Sequence, residues 1–356
     1  MKITFVTDTL QAGGAERVIS ILANRLQKRG YDVEIICLRM HKVFYEFDSS
    51  VKLTFVEDNV NSGIIKKMLW LRKYIKQQKP SVVIAFMVGV YIFTLLSLMG
   101  MKQTVIVSER IDPRKTSKKT RNVLRKMVLP LVQHMVVQTE DIKSYFPAFI
   151  RKKTSIIYNP VTEDVFVNDS VNVNKMKRLI NVGRLYDQKN QRMLIDAFSK
   201  VIDKFPDYEL AIFGEGPLQE ELQNLINEKG LNNAVKLMGK SSRIIEELKS
   251  SEVFCLSSDY EGMSNAMIEA VCLGLPVITT DISGAKDVIT DGVNGYIVNV
   301  NDSDGFADAI SKILSDESLK EQMGKNNLQK ANLFKADTIV DSWIELIYKL
   351  VKSDNA

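Results

Sequence analysis

The stretch Tyr260–Leu273 reads Y-E-G-M-S-N-A-M-I-E-A-V-C-L, and its reading decides the fold. Just before it, the short apolar run Val253–Leu256 predicts a buried strand, and apolar periodicity from Ser264 onward predicts a helix. Strand, loop and helix in that order are a piece of a parallel α/β sheet. Glu261 and Glu269 then stand at the carboxyl edge of a strand, beside a helix N-terminus. Open α/β sheets bind ligands at that edge. A helix N-terminus there favours phosphate. A carboxylate accepts hydrogen bonds from two hydroxyls, as a ribose or sugar diol offers them. The competing reading makes Glu269 a complement to the helix dipole and Glu261 a solvated loop charge.

Working outward, strand and helix patterns alternate on both sides of this stretch. From the start of the chain, strands are expected over 2–7, 32–38, 82–86, 104–107, 135–137 and 155–158, with helices over 16–29 and 64–78 and further helical segments between. Asn159-Pro160 turns the chain, and the polar stretch 162–174 reads as a linker. A second alternation follows, with strands over 179–182, 209–213, 235–237, 253–256 and 277–279 and helices between them. The expectation is two Rossmann-like domains, 1–165 and 175–335, with their ligand-binding edges facing across a cleft, and a terminal helical segment over 336–356.

Composition supports and limits this. A chain of 356 residues exceeds one typical domain, and 45% apolar with 26% charged residues is ordinary for a globular protein. Cys37, Cys255 and Cys272 have no metal-ligand spacing and fit a reduced, cytoplasmic setting. His41 and His134 are too few for a metal cluster or a hydrolase triad. The only D-x-D, Asp302-Ser303-Asp304, opens a helix and reads as a cap. No signal peptide is expected, because the apolar run after Lys2 is too short. Val82–Met101 is uncharged and long enough to span a membrane, yet it breaks at Gly89 and also fits a strand–turn–helix inside a covered parallel sheet.

The net charge of +5 hides a split: residues 1–160 hold 27 Lys and Arg against 12 Asp and Glu, a net +15, and the rest carries −10. Basic residues gather at Arg110–Lys126 (Arg114, Lys115, Lys118, Lys119, Arg121, Arg125, Lys126) and at Lys66, Lys67, Arg72, Lys73, Lys76 and Lys79. A solvated cationic face is one reading. Docking to an anionic membrane is the other, at about 1 kcal/mol per basic residue near the surface. No recognition motif accompanies the charge, which argues against nucleic acid.

Glycines and cations recur at the strand ends. Gly13 and Gly14 precede a helix, but D-T-L-Q-A-G-G-A-E-R is not the dinucleotide fingerprint. In V-G-R-L-Y-D-Q-K-N, residues 182–190, Lys189 runs against the helix-dipole preference, and with Arg184 it suggests an anionic ligand such as a diphosphate. F-G-E-G-P, residues 213–217, and M-G-K-S-S-R, residues 238–243, end the next strands.

These motifs carry a resemblance. V-G-R-L…Q-K-N, F-G-E-G-P, E-G-M-S-N-A-M-I-E-A and G-L-P-V-I-T-T-D, with G-G-A-E-R near the start, closely resemble the family 4 retaining glycosyltransferases of the GT-B fold, over nearly the whole chain. V-S-E-R-I-D-P, residues 107–113, looks like the amylovoran-type branch that builds exopolysaccharide and capsule. The resemblance implies that the terminal helix crosses back to the first domain. It implies that Arg184 and Lys189 hold the donor diphosphate, with Gly13 and Gly14 across the cleft, and that Glu269 binds the ribose. Glu261 would contact the donor sugar at the reacting centre, and backbone around Gly262, Met263, Ser264 and Asn265 would approach sugar or phosphate. Phe213, Gly214, Gly216, Gly239, Lys240 and Ser241 would lie near the base.

Many members carry S-E-H where this chain has Ser108-Glu109-Arg110. Arginine stays protonated and cannot be a general base. That leaves Arg110 either stabilising the leaving diphosphate or orienting an acceptor phosphate. In such retaining transfer the leaving phosphate is thought to take the acceptor proton. The implied enzyme needs no metal or cofactor. It moves a hexose or N-acetylhexosamine from a nucleotide sugar, UDP-linked by expectation, to a polyprenyl-diphosphate-linked glycan. It would work as a peripheral protein on the inner face of the plasma membrane. A GT-B sugar-nucleotide epimerase and a non-catalytic GT-B partner subunit are the alternatives.

Overall fold

The computed structural model describes residues 1–60, 63–115, 119–166 and 175–354. The chain divides into two compact units: residues 1–160 with 336–356, and residues 161–335.

Unit 1 runs β1 (Lys2–Thr7), α1 (Gly14–Lys28), β2 (Asp32–Cys37), β3 (Lys52–Phe55), α2 (Ile64–Gln78), β4 (Val82–Phe86), α3 (Val88–Leu98), β5 (Val105–Ser108), α4 (Lys119–Val128), β6 (His134–Val137), α5 (Glu140–Tyr145), α6 (Ala148–Arg151) and β7 (Thr154–Ile156). Its sheet has the order β3-β2-β1-β4-β5-β6-β7, and all pairings are parallel. The order reverses between β1 and β4. β4 is wholly buried because helices cover both faces, which explains its unbroken V-V-I-A-F.

Unit 2 runs β8 (Arg178–Val182), α7 (Gln191–Ser199), β9 (Glu209–Phe213), α8 (Gln219–Glu228), β10 (Val235–Gly239), α9 (Ile244–Lys249), β11 (Val253–Leu256), α10 (Asn265–Cys272), β12 (Val277–Thr280), α11 (Ala285–Val288), β13 (Gly295–Val298), α12 (Ser303–Ser315) and α13 (Glu317–Lys330). Its parallel sheet has the order β10-β9-β8-β11-β12-β13, so the switch lies between β8 and β11.

The last helix, α14 (Ala336–Asp354), belongs to unit 1. Ile339, Val340, Trp343, Leu346 and Ile347 form one apolar stripe along it, and they share a core with Ile19, Leu22, Ala23 and Leu26 of α1. Arg29 adds a bond to Asp337 at 2.9 Å. Trp343 is 1% exposed, and truncating so buried a ring to alanine costs about 3–5 kcal/mol.

The uncharged run Val82–Met101 folds as β4, a turn at Met87 with φ of 70°, and α3. At 11 residues α3 is about 16 Å long, half a bilayer's hydrocarbon core. No helix among the described residues is long and apolar enough to cross a membrane. Asp302 does cap α12, accepting from the Gly305 amide at 2.8 Å. The strand β3 was not expected: K-L-T-F is short and lies on the sheet edge, with no fully buried residue to give it a pattern.

The expected basic face needs correction. Arg125 is 1% exposed and faces Glu109 at 3.6 Å, so it is a buried partner of an acid. Arg114 pairs with Asp112 and Asp141, and Lys67 with Glu57. Arg72 donates to the Ser97 and Met99 carbonyls at the end of α3. Charge counting along a sequence cannot see such pairing. Lys118 and the polar stretch 167–174 lie outside the described residues.

Candidate active site

The unit 2 site is built at the switch point, from the loops that leave β8 and β11. Open sheets place ligands in this crevice because the two loops diverge there and leave room. After β8 the chain turns through Asp187–Lys189, and Asn190, at φ of 46°, caps α7 by accepting from the Met193 amide. The β11 loop is stitched to it. Asp259 N–H donates to the Gln188 carbonyl at 2.8 Å, Ser257 Oγ to the Lys189 carbonyl at 2.8 Å, and Gln188 Nε2 to the Tyr260 carbonyl at 2.8 Å. Asn190 Nδ2 reaches Asp259 Oδ1 at 2.7 Å.

Within this frame Lys189 Nζ forms an ion pair with Glu261 Oε1. Ser258 Oγ donates to the same carboxylate at 3.0 Å. Neither side chain is freely solvated, at 16% and 12% exposed, so Glu261 is not a loose loop charge. Arg184 is exposed and lies over the Tyr186 ring at 5.1 Å, with no acidic partner among the described residues. One cation is thus held by a carboxylate and a second is available to an anion.

Ser264 caps α10, its hydroxyl accepting from the Met267 amide at 3.4 Å. Glu269 is the fifth residue of that helix and is buried, as are Gly262 and Met263; Asn265 is half-buried. A carboxylate buried past the first turn is not there to complement the dipole. β12 closes the floor, where Thr280 Oγ1 donates to the Ser258 carbonyl at 2.5 Å.

The glycines at the neighbouring strand ends serve the chain itself. Gly214 has φ of +143°, and a Cβ there would lie 1.9 Å from the Gly183 carbonyl oxygen. A Cβ on Gly216 would lie 2.3 Å from the Leu185 carbonyl oxygen. These two residues let the β9 loop press against the β8 loop that carries Arg184 and Lys189. Phe213 is buried at the end of β9, Gly214 N–H donates to the Gly239 carbonyl, and Lys240 is exposed beside the half-buried Ser241.

In unit 1, Gly13 and Gly14 follow β1 at that sheet's own switch point. The Tyr45 hydroxyl takes the Gly13 amide at 3.3 Å and donates to its carbonyl at 2.9 Å. A Cβ on Gly13 would meet the Glu16 carboxylate at 2.1 Å, so this helix start carries its own anion. Arg110 lies two residues past β5. Its Nη1 donates to Asn159 Oδ1 at 3.0 Å, and its guanidinium covers the Phe86 ring at 4.7 Å. Burial pushes its pKa down to about 9, so it stays protonated at neutral pH. Its neighbour Glu109 is pushed up to about 7 by burial, offset in part by Arg125.

Sequence reasoning singled out the charged members of both sites and missed their neutral partners. Ser258, Gln138 and Trp343 carried no signal in the sequence, Gln188 entered only as part of the Q-K-N motif with no role of its own, and Asn159 was visible only as a turn. Among the described residues no group of His, Cys, Asp and Glu could hold a metal ion.

Two family models match consecutive parts of the chain: one described as Glycosyltransferase Family 4 over residues 12–165, and one as Glycosyl transferases group 1 over residues 164–330. The chain is 28% identical, over 98% of each protein, to the Campylobacter jejuni GalNAc-alpha-(1->4)-GalNAc-alpha-(1->3)-diNAcBac-PP-undecaprenol alpha-1,4-N-acetyl-D-galactosaminyltransferase. It is 26% identical to the amylovoran biosynthesis glycosyltransferase AmsD of Erwinia amylovora, over 94% of this chain and 96% of that one. Among solved structures, Anabaena Alr3699/HepE in complex with UDP superposes with a TM-score of 0.82 at 17% identity, covering 98% of this chain and 100% of that one.

Proposed function

We propose the reaction from one premise: the chain belongs to the family 4, group 1 glycosyltransferases, its two halves matching the two models of that family in order. It is a glycosyltransferase with two Rossmann-like domains. Our reading is that it moves a hexose or N-acetylhexosamine from a UDP-sugar to a glycan carried on a polyprenyl diphosphate, with retention of configuration, in surface polysaccharide synthesis. The acceptor class is supported by relatives that match end to end and act on undecaprenyl-diphosphate-linked glycans or in amylovoran synthesis.

The observation that carries the reading is the Lys189–Glu261 pair at the β8/β11 switch point, with buried Glu269 on the following helix. Lys189 and Arg184 face the diphosphate and stabilise the charge that grows as the anomeric C–O bond breaks. Glu269 accepts the ribose hydroxyls. Glu261 lies at the reacting sugar. The acceptor oxygen attacks the anomeric carbon from the face the diphosphate leaves, and its proton passes to a leaving phosphate oxygen. The two cations take the place of a metal, so turnover proceeds in excess EDTA.

The test is release of UDP from a panel of UDP-sugars, with and without lipid-diphosphate acceptor and with and without EDTA. Acceptor-dependent, EDTA-resistant release with an α-linked product supports the reading. Sugar epimerisation without acceptor, release from GDP-sugars only, or metal-dependent turnover overturns it.

A further inference from the structure

Arg110 is a half-buried cation with no counter-charge among the described residues, and two of its guanidinium nitrogens are fully buried. Its neighbour Glu109 turns away, bonded to the Tyr91 hydroxyl at 2.9 Å and facing Arg125. The guanidinium instead lies against Phe86 and, at 5.9 Å, the Trp343 ring of α14. Only Nη1 is bonded, to Asn159 Oδ1, which also accepts from Gln138 Nε2 at 2.7 Å. Nε and Nη2 are buried and have no hydrogen-bond partner among the described residues, and neither do Gln138 Oε1 and Trp343 Nε1. Leaving a buried charge uncompensated is costly, so a fold that keeps one needs a reason outside its own packing.

The two unpartnered donors point to that reason. Nε–H and Nη2–H lie side by side on one edge of the guanidinium, the fork that grips two oxygens of a phosphate or carboxylate at once. The surrounding groups come from one place: Phe86 ends β4, Arg110 and Gln138 follow β5 and β6, and Asn159 follows β7. That is the ligand-binding edge of the unit 1 sheet. Neutral partners hold Nη1 and leave the fork to an incoming anion.

We propose that the Nε/Nη2 edge of Arg110 is a receptor for a phosphoryl oxyanion in the transfer reaction, with Asn159 and Gln138 positioning it. This rests on the transferase reading, which supplies two sources of that oxyanion: the donor's diphosphate and the acceptor's lipid diphosphate. Both donor atoms are shut off from solvent, so an anion reaches them only when the groups around this guanidinium shift, and the Trp343 ring lies 5.9 Å from it.

That shift gives the test. The chain has two tryptophans, so Trp70→Phe leaves Trp343 as the sole emitter. UDP and farnesyl diphosphate are titrated separately into this parent, and into its Arg110→Gln and Arg110→Lys derivatives. At least one diphosphate should change Trp343 emission saturably. Arg110→Gln should weaken that ligand tenfold or more, and Arg110→Lys should recover only part, since an ammonium lacks the fork. Loss confined to UDP assigns the donor, and loss confined to farnesyl diphosphate assigns the acceptor. Arg110→Gln should melt no lower than its parent, because it removes an uncompensated charge; an unfolded glutamine variant whose lysine counterpart is folded and binds fully overturns the assignment. Unchanged affinity for both ligands in folded Arg110→Gln also overturns it, and Glu269-dependent UDP binding in the same protein would leave the transferase reading standing.

Discussion

Lys189 and Glu261 form an ion pair across the one place in unit 2 where the strand order reverses, Lys189 following β8 and Glu261 following β11. Each neutralises the other in a half-buried position, so neither pays the full desolvation cost of an isolated charge. On the proposed reading, a diphosphate arriving at Lys189 would compete with Glu261 and turn that carboxylate toward whatever the diphosphate carries, so the pair would link donor binding to the reacting centre.

It follows that the two partners differ on substitution. Lys189→Met should weaken UDP about tenfold, the worth of one charged hydrogen bond at about 1.4 kcal/mol per decade. Glu261→Gln should lower turnover while leaving UDP affinity within about threefold, because its interaction forms at the reacting sugar. Calorimetric titration with UDP, beside turnover of the same samples, checks both; equal loss of UDP binding in the two variants would remove the distinction.

Glu269 makes a separate prediction. A buried carboxylate bonded to ribose hydroxyls contributes about 1.5–3 kcal/mol. Glu269→Ala should therefore weaken UDP by roughly tenfold or more, and should weaken uracil or uridine-free diphosphates far less. Unchanged UDP affinity in a folded variant would end the ribose assignment.

Gly214 is expected to be intolerant for two reasons that add: a backbone conformation L residues avoid, and a Cβ meeting the Gly183 carbonyl oxygen. Gly214→Ala should lower the melting temperature and weaken UDP together, by displacing the loop that carries Arg184 and Lys189. Gly230→Ala is the control. Its φ is +67°, but nothing lies within 4 Å of the added carbon, so it should cost only about 1 kcal/mol and leave binding unchanged.

Much of this was legible in the sequence. The alternation of strand and helix patterns exposed two parallel sheets because fully covered strands are runs of apolar residues. The site's charges stood out at strand ends, where Lys189 breaks the dipole rule. The rest depended on pairing. Arg125 read as surface charge, yet it faces Glu109 across the interior. Trp343 is brought beside Arg110 by the fold alone. No local pattern encodes which distant side chain neutralises a charge, so patches counted along the chain overstate free charge.

His134 should make unit 1 acid-sensitive. Its ring is bonded to Ser155 Oγ at 2.9 Å, and burial together with Lys349 pushes its pKa down to about 4. Below an ordinary value near 6.5 the unfolded chain takes up a proton that the fold refuses, so this residue's contribution to stability is lost as pH falls from 6.5 toward 4. Glu109, pushed up to about 7, has the opposite sign and loses its contribution as pH rises through that range. Comparing melting temperatures of the wild type and His134→Gln from pH 7 to pH 5 isolates the histidine. The wild type should fall more steeply, and parallel curves would refute the assignment.

The last prediction concerns the membrane. α3 packs against both α2 and α4, so these three helices form one layer of unit 1. Ile64, Ile65 and Leu69 of α2 and Val123, Leu124 and Met127 of α4 are exposed. Lys66, Lys73 and Lys76 are exposed among the first set and Lys126 among the second. Apolar side chains interleaved with lysine fit the interface of an anionic bilayer, where lysine meets the headgroups and the apolar groups enter the acyl boundary. An acceptor on a lipid diphosphate would be met at that interface. The protein should therefore co-sediment with phosphatidylglycerol-rich vesicles and hardly at all with neutral ones. Salt should release most of it, since the screening length falls from about 10 Å at 0.1 M to about 3 Å at 1 M. Reversing Lys66, Lys73, Lys76 and Lys126 should abolish vesicle binding, and Leu69→Asp with Met127→Asp should lower it at every salt concentration. UDP affinity should stay unchanged in both variants, because none of these residues lies in unit 2. Indifference to anionic vesicles would refute the surface, and binding that survives high salt in the charge-reversed protein would show that electrostatics does not drive it.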